Sequence, residues 1–408
     1  MSIIKNDNYV DYEPKNSYLQ PDDPEKIYER SSIFNSLHWG QRKLGMALVQ
    51  FLNYYWNPLE VPNPKVVYAG AAHGVNIGFV SKLFPTIQWY LYDTGNFMIE
   101  ESDKIHIYKE YFTDEIAEEW GERQKQDNNI FFISDIRRGM ESDEGGVSLN
   151  NEIIIWDDME AQAKWYIKIH PVKAQLKFRL PYNTSNTSDV FKRYVPYLNG
   201  KIYKGIWAPI HSTETRLVPE GYDTVHWDII KYESQMFYFN INIRGVVKYN
   251  NKYIDINDYE LRNDWDSLSE IILWKQYLIK MYGEGADTSD RIAKLSKLMT
   301  YELNVGANNP QDYRSLNILR IQSKLLEIDS KNKKAKYIRT SSSDPEKIDL
   351  AIKDEKIYTM YNEAIGLGNN PLYITETIVL SKKLMEKIKS DDNSERQLIL
   401  NILDNIYS

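Results

Sequence analysis

The chain has 408 residues, more than one ordinary domain holds, so two or three domains are expected. Hydrophobic residues at 42% and aromatics at 13% allow a sizeable core, and the absence of cysteine excludes disulfides and cysteine-ligated zinc or iron–sulfur centres. Net charge is −8, no apolar run approaches the roughly 20 residues of a membrane span, and the polar start "MSIIKNDNYVDYEPKN" is no signal peptide, so a soluble intracellular protein is expected.

Residues 1–30 read as irregular, with "QPDDPEK" as a turn. From about 33 to 57 the spacing is helical, with Leu44, Leu48, Phe51 and Leu52 on one face. "VVYAG" (66–70) is a buried strand, "AAHG" a turn and "VNIGFVSKLF" a helix. "IQWYLYD" (87–93) and "KIHIYKEYF" are the second and third strands. "TDEIAEEWGERQKQ" is a helix with an acidic start, and "NIFFISD" (129–135) a fourth strand. A long helix ending in "KWYIKIH" leads to a fifth strand, "AQLKFRLP". Strands alternating with helices at this spacing predict an α/β fold with a parallel sheet and right-handed crossovers. "GKIYKGI", "TETRLVP" and "MFYFNINI" read as further strands. Beyond about 250 the pattern is helical, with "LSEIILWKQYLIKMYG" and "ADTSDRIAKLSKLMTYEL" amphipathic and "SKNKKAKYIRTSSSD" (330–344) the best linker. Asp344 is an N-cap candidate before Pro345. The expected division is a catalytic domain over 1–305 and a helical accessory domain over 306–408.

Charge is unevenly spread. From Lys164 to Arg216 ten Lys/Arg face two acids, Asp189 and Glu214, so a segment of about +8 sits in an acidic chain. Interleaved aromatics such as Trp165, Tyr182 and Tyr194 suit stacking on unpaired bases, which points to RNA.

"VVYAGAAHG" is strand, then Gly70 and Gly74, then helix, and the strand-end acid Asp93 follows Gly70 by 23 residues. Such an acid can accept hydrogen bonds from the ribose hydroxyls of an adenosine. The motif fits NAD, S-adenosylmethionine or a simple helix-packing glycine pair. Its G-x-x-x-G spacing differs from the nicotinamide pattern and leans towards S-adenosylmethionine. Asp135 ends the fourth strand, so Asp93 and Asp135 share one crevice, with Lys177 on the next strand near Asp135.

Several motifs are collinear with a known family: "GQRKLG" (40–45), "VVYAGAAHG" (66–74), "WYLYD", "ISDIR" (133–137), "KFRLPY" (177–182) and "ETRL" (214–217). From about Asp11 to Asn250 the chain resembles the poxvirus cap-specific mRNA nucleoside 2′-O-methyltransferases, which also serve as processivity subunits of the viral poly(A) polymerase. The resemblance implies a Rossmann-like fold, S-adenosylmethionine as cofactor, no metal, capped mRNA as substrate and a poly(A) polymerase as partner. It implies a protein of a large DNA virus, acting in the host cytoplasm. It carries a catalytic tetrad onto Lys43, Asp135, Lys177 and Glu214, with Lys177 as the base for the 2′-hydroxyl. A lysine ordinarily keeps its proton to about pH 10.4; desolvation and a neighbouring ammonium lower that, and adjacent carboxylates oppose it. It carries cofactor contacts onto Gln41, Tyr68, Gly70, Gly74, Asp93, Phe112 and Thr113. For the 7-methylguanosine cap it points to Tyr12 and Tyr182 as stacking rings and to Glu233 for the base edge, with Arg179 for RNA phosphate or cap. The chain departs from the family at three places. His73 stands for proline, Gly95 for arginine and Thr184 for aspartate.

Overall fold

All five apolar runs expected as parallel strands pair into one sheet. The structure, a computed structural model, describes residues 9–29, 40–138, 148–210, 212–250 and 264–304. Its first half comprises β1 (Tyr9–Val10), α1 (Gly40–Tyr55), β2 (Lys65–Ala69), α2 (Val75–Leu83), β3 (Gln88–Tyr92), β4 (Ile105–Tyr108), α3 (Asp114–Asp127) and β5 (Ile130–Ser134). Then follow α4 (Leu149–Ile169), β6 (Lys173–Phe178), β7 (Tyr194–Lys204), β8 (Thr215–Asp228), α5 (Ile229–Tyr238), β9 (Lys248–Tyr249), α6 (Trp265–Tyr282) and α7 (Ser289–Asn304).

The main sheet has seven strands in the order β4-β3-β2-β5-β6-β8-β7. From β4 to β6 the pairing is parallel, and β8 then pairs antiparallel with both β6 and β7. The chain winds outward from β2 to β4 and returns to β5 beside β2. That reversal opens a crevice at the carboxyl ends of β2 and β5. This is the Rossmann-like methyltransferase sheet that was expected, closed by an antiparallel hairpin.

Helices cover both faces, which is why the central strands read as unbroken apolar runs. Successive residues of β5 show it, since neighbours on a strand point to opposite faces. Phe131 meets Phe51 of α1 edge-on at 6.1 Å, and Phe132 meets Phe112 at 5.6 Å. Phe112 in turn packs on Trp165 of α4 at 5.0 Å. On the α1 face, α1, α2, α6 and α7 pack together; on the other, α3 packs on α4. Trp274 of α6 is fully buried against Phe79 of α2. Local signals agree with these bounds. Thr113 caps α3 through Ile116 N, and Asn128 and His170 close α3 and α4 in the left-handed conformation.

Two expectations change. "MFYFNINI" (236–243) is not a strand. It is the end of α5 continued by a π-helical turn over Phe239–Arg244. Its apolar–polar alternation from Phe239 to Ile243 suits a strand, but Asp228 caps the helix through Ile230 N and Lys231 N, and Phe239 seats edge-on to Trp265 at 4.8 Å. Packing thus overrides β propensity. "GKIYKGI" overlaps the end and "TETRLVP" the start of the much longer strands β7 and β8. The linker, Asp344 and the 306–408 region lie outside the described residues.

Candidate active site

Four elements bring charged groups to the carboxyl edge of the sheet. Lys43 lies in the first turn of α1, Asp135 just after β5, Lys177 near the end of β6 and Glu214 just before β8. Asp135 N donates to Ala69 O at 2.9 Å, which ties its loop to the end of β2. Leu176 and Phe178 are fully buried, and alternation sends Lys177 to the other face. Gln162 of α4 donates to the Lys177 carbonyl at 2.5 Å and anchors its backbone.

The side chains converge. Lys43 Nζ stands 2.6 Å from Glu214 Oε1, and Lys177 Nζ 3.1 Å from Asp135 Oδ1 and 3.6 Å from Glu214 Oε2. All four tetrad positions therefore meet. The structure adds two groups to which the sequence reading assigned no role. Arg216 faces Lys177 across the β6–β8 register and bridges the acids, 2.8 Å from Asp135 Oδ1 and 3.1 Å from Glu214 Oε1. Arg137 approaches Glu214 Oε2 at 4.0 Å. Both stood inside quoted motifs, "ETRL" and "ISDIR", but only strand register shows where they meet the tetrad.

Burial shapes the protonation of the cluster. It pushes the Lys43 amine below the usual lysine range, against the pull of Glu214, with Arg216 and Lys177 adding to the lowering. Burial alone would raise the Glu214 carboxyl. Lys177, Lys43 and Arg216 outweigh it and hold that group well below the usual carboxylate range. Desolvation also raises the Tyr68 phenol, and nearby Asp135 raises it further.

A cleft of about 760 Å³ opens beside the cluster, lined among others by Gly70, Asp93, Phe112, Asp135, Arg137 and Trp165. Gly70 has φ +82, and a Cβ there would fall 2.7 Å from Ile136 N, so the loops after β2 and β5 touch through a glycine. Gly74, at φ +80, begins α2 and packs on Ile99. Asp93 Oδ2 accepts from Ala72 N at 3.0 Å and Oδ1 from Gly95 N at 2.8 Å. A Cβ on Gly95 would meet Ala72 Cβ at 2.9 Å, so the family's arginine has no room here without movement. His73 is exposed, with Nδ1 2.9 Å from Asn96 O. Gln41, Tyr68, Gly74 and Thr113 stand outside this lining. Gln41 Oε1 is nevertheless buried without a hydrogen-bond partner among the described residues. The glycine cradle, the strand-end acid, the Phe112 wall and this orphaned acceptor fit an adenosyl cofactor.

The expected cap residues divide. Arg179, Tyr182 and Glu233 form one neighbourhood. Arg179 pairs with buried Glu152 at 2.7 Å and lies 4.5 Å over the Tyr182 ring. At 7% exposed, Arg179 shapes this pocket and presents little charge to solvent. Tyr182 N donates to Glu152 Oε2 at 3.0 Å, and burial raises the Glu233 carboxyl. Tyr12 is seated against Tyr249 of β9, its hydroxyl accepting from Ser269 of α6 at 3.0 Å. The two expected stacking rings thus have separate supports. Thr184 is folded into a local turn, its N donating to Thr187 Oγ1 at 2.9 Å.

The basic segment is not an open basic patch. Lys164, Lys168, Lys177, Arg179, Arg193, Lys201, Lys204 and Arg216 all pair with acids, most from other parts of the chain. Lys173 lies over Tyr55, and Lys192 donates to Ser188 O. Folding brings acids such as Asp114, Glu118 and Asp228 against it, which a count along the sequence could not include. Among the described residues no cluster of three or more His, Asp or Glu is arranged to hold a metal ion, and no helix is long and apolar enough to cross a membrane.

Residues 14–282 match the family model described as poly A polymerase regulatory subunit. The chain is similar to the cap-specific mRNA (nucleoside-2′-O-)-methyltransferase of Myxoma virus (strain Lausanne), 28% identical over 256 residues, which cover 58% of this chain and 72% of the relative. It is similar to the protein of the same name from Fowlpox virus (strain NVSL), 23% identical over 282 residues, covering 65% of this chain and 85% of the relative.

Proposed function

Because the chain belongs to the poly(A) polymerase regulatory subunit family, we propose that it is an S-adenosylmethionine-dependent methyltransferase acting on the ribose 2′-hydroxyl of the first transcribed nucleotide of capped mRNA. The observation that carries this reading is the meeting of Lys43, Asp135, Lys177 and Glu214 beside a cleft that Asp135 itself lines.

Asp93 would hold the ribose hydroxyls of S-adenosylmethionine, Phe112 its adenine and Gln41 its amino-acid end, with Gly70 and Gly74 allowing close approach. When bound, the cofactor supplies an electrophilic methyl group on a sulfonium. Lys177 Nζ would accept the proton of the 2′-hydroxyl as its oxygen attacks. Asp135 and Glu214 orient the two amines, and Arg216 fixes both carboxylates so that the cluster is preorganised before the RNA arrives. Glu233, Tyr182 and Tyr12 would contact the 7-methylguanosine base. We place the protein's action in the cytoplasm of the infected host cell.

Incubation with labelled S-adenosylmethionine and capped RNA tests the reading. Label is expected on the first nucleotide's 2′-oxygen and absent with Lys177→Ala. Undiminished transfer by that variant would sink the role of Lys177. The family description also favours a second role as the regulatory subunit of a poly(A) polymerase. Stimulation of the cognate polymerase that survives in Lys177→Ala would support this dual role.

A further inference from the structure

Behind Lys43 stands a buried polar hub that the proposed reaction does not use. Glu270 of α6 is fully buried. Its Oε2 accepts from Arg42 Nε at 2.8 Å and Trp207 Nε1 at 2.7 Å. Its Oε1 accepts from Trp274 Nε1 at 3.0 Å and Ser296 Oγ at 2.5 Å. A second Arg42 bond, from the other guanidinium nitrogen to Oε1, makes the ion pair bidentate. A buried carboxylate is costly unless its acceptor sites are filled, and here they are.

Two of these partners flank Lys43. Arg42 precedes it on α1 and is 1% exposed. Trp207 lies in the 205–208 turn at φ +61, its N donating to Asp266 Oδ1 at 2.8 Å. Arg244 donates to the carbonyls of Gly205 and, at 3.1 Å, Ala208. This turn walls the tetrad: a Cβ built on Gly205 would stand 3.9 Å from Lys43 Cδ and 3.7 Å from Glu214 O. Glu270 thus grips both the helix that carries Lys43 and the turn that packs on its stem. Ser296 of α7 reinforces the grip by accepting from Arg42 at 2.7 Å. A plain interhelical ion pair would link α1 to α6 and α7 without Trp207.

We infer that Glu270 is a positioning residue, holding Lys43 Nζ against Glu214 through Arg42 and Trp207. The inference rests on reading Lys43 and Glu214 as part of the catalytic set. Glu270→Gln keeps the shape and removes the charge. The comparison variant is Lys280→Met, which removes three bonds from Lys280 Nζ to carbonyls at the far end of α1. The readouts are steady-state transfer and the side-chain nitrogen resonance of Lys43 in lysine-labelled full-length protein, assigned with Lys43→Arg. Glu270→Gln is expected to lower kcat roughly 10- to 100-fold with KM for both substrates unchanged, and to move the Lys43 resonance. Lys280→Met is expected to lose thermal stability with kcat and resonance intact. An unmoved Lys43 resonance in folded Glu270→Gln overturns the inference, as does an equal kcat loss in Lys280→Met. Should Glu270→Gln not fold, Trp207→Phe, which deletes one donor, must shift the same resonance or the inference falls. If the wild type transfers no methyl group, the proposed function fails, while the resonance still decides whether Glu270 positions Lys43.

Discussion

At the residue scale, Arg216 shows how much depends on who the neighbours are. It is 6% exposed and bonded to both Asp135 and Glu214, so its removal leaves two half-buried carboxylates short of a partner. Arg216→Ala is expected to cost about 3 kcal/mol in urea unfolding, the range for breaking a buried pair. Glu214 carries a pH signature. Its folded carboxyl is held below its unfolded value, so its ion-pair contribution is fully present above about pH 4.3 and is lost as pH falls through the folded value. Unfolding free energy followed from neutral pH to below about pH 4.3 is expected to fall more steeply under that value for wild type than for Glu214→Gln. Lys43 has the same sense at higher pH. Its lowered folded value makes stability rise with pH between that value and the ordinary lysine range. The residue types of this cluster were legible as collinear motifs. Adjacent strand ends already placed Lys177 near Asp135. The entry of Arg216 was not legible, because it depends on the antiparallel register of β6 and β8.

At the element scale, β2 and β5 were the most readable strands because burial on both faces demands unbroken apolar runs. The end of α5 and the turn after it read as a strand because apolar–polar alternation over 239–243 resembles a half-buried strand. The cap decides it. Asp228 accepts from Ile230 N and Lys231 N, both at 3.2 Å, and its exposed partner Arg193 adds little. Asp228→Ala is expected to cost about 1 kcal/mol, read as a lower denaturant midpoint with an unchanged slope. The basic segment is less charged in the fold than along the chain for a related reason. Lys164 and Lys168 of α4 face Asp114 and Glu118 of α3, and helix–helix packing cancels what the linear count added up.

At the scale of the whole molecule, α6 and α7 complete the helical layer that carries Lys43. Leu273, Trp274, Leu278, Ile292, Leu295 and Met299 are buried there, and Met299 presses on Gly45 of α1. We therefore propose a boundary near residue 305 between the catalytic domain and the accessory region. A chain ending at Asn304 is expected to unfold cooperatively and to keep the methyl transfer of the full chain. Loss of cooperative unfolding on that truncation would place part of the core beyond residue 304.

The sequence by itself determined the parallel α/β sheet, the glycine turn after β2 and the strand-end acids Asp93 and Asp135, and its collinear motifs carry the resemblance that points to Lys43, Lys177 and Glu214. Each follows from local periodicity, from backbone conformations only glycine adopts easily, or from motif order. Tertiary structure alone decided that Arg216 joins the tetrad, that residues 236–243 are helical, that the basic segment is neutralised and that Glu270 stands behind Lys43. These are contacts between segments far apart in the chain, and their free energies come from burial and charge pairing, which exist only once the layers have closed.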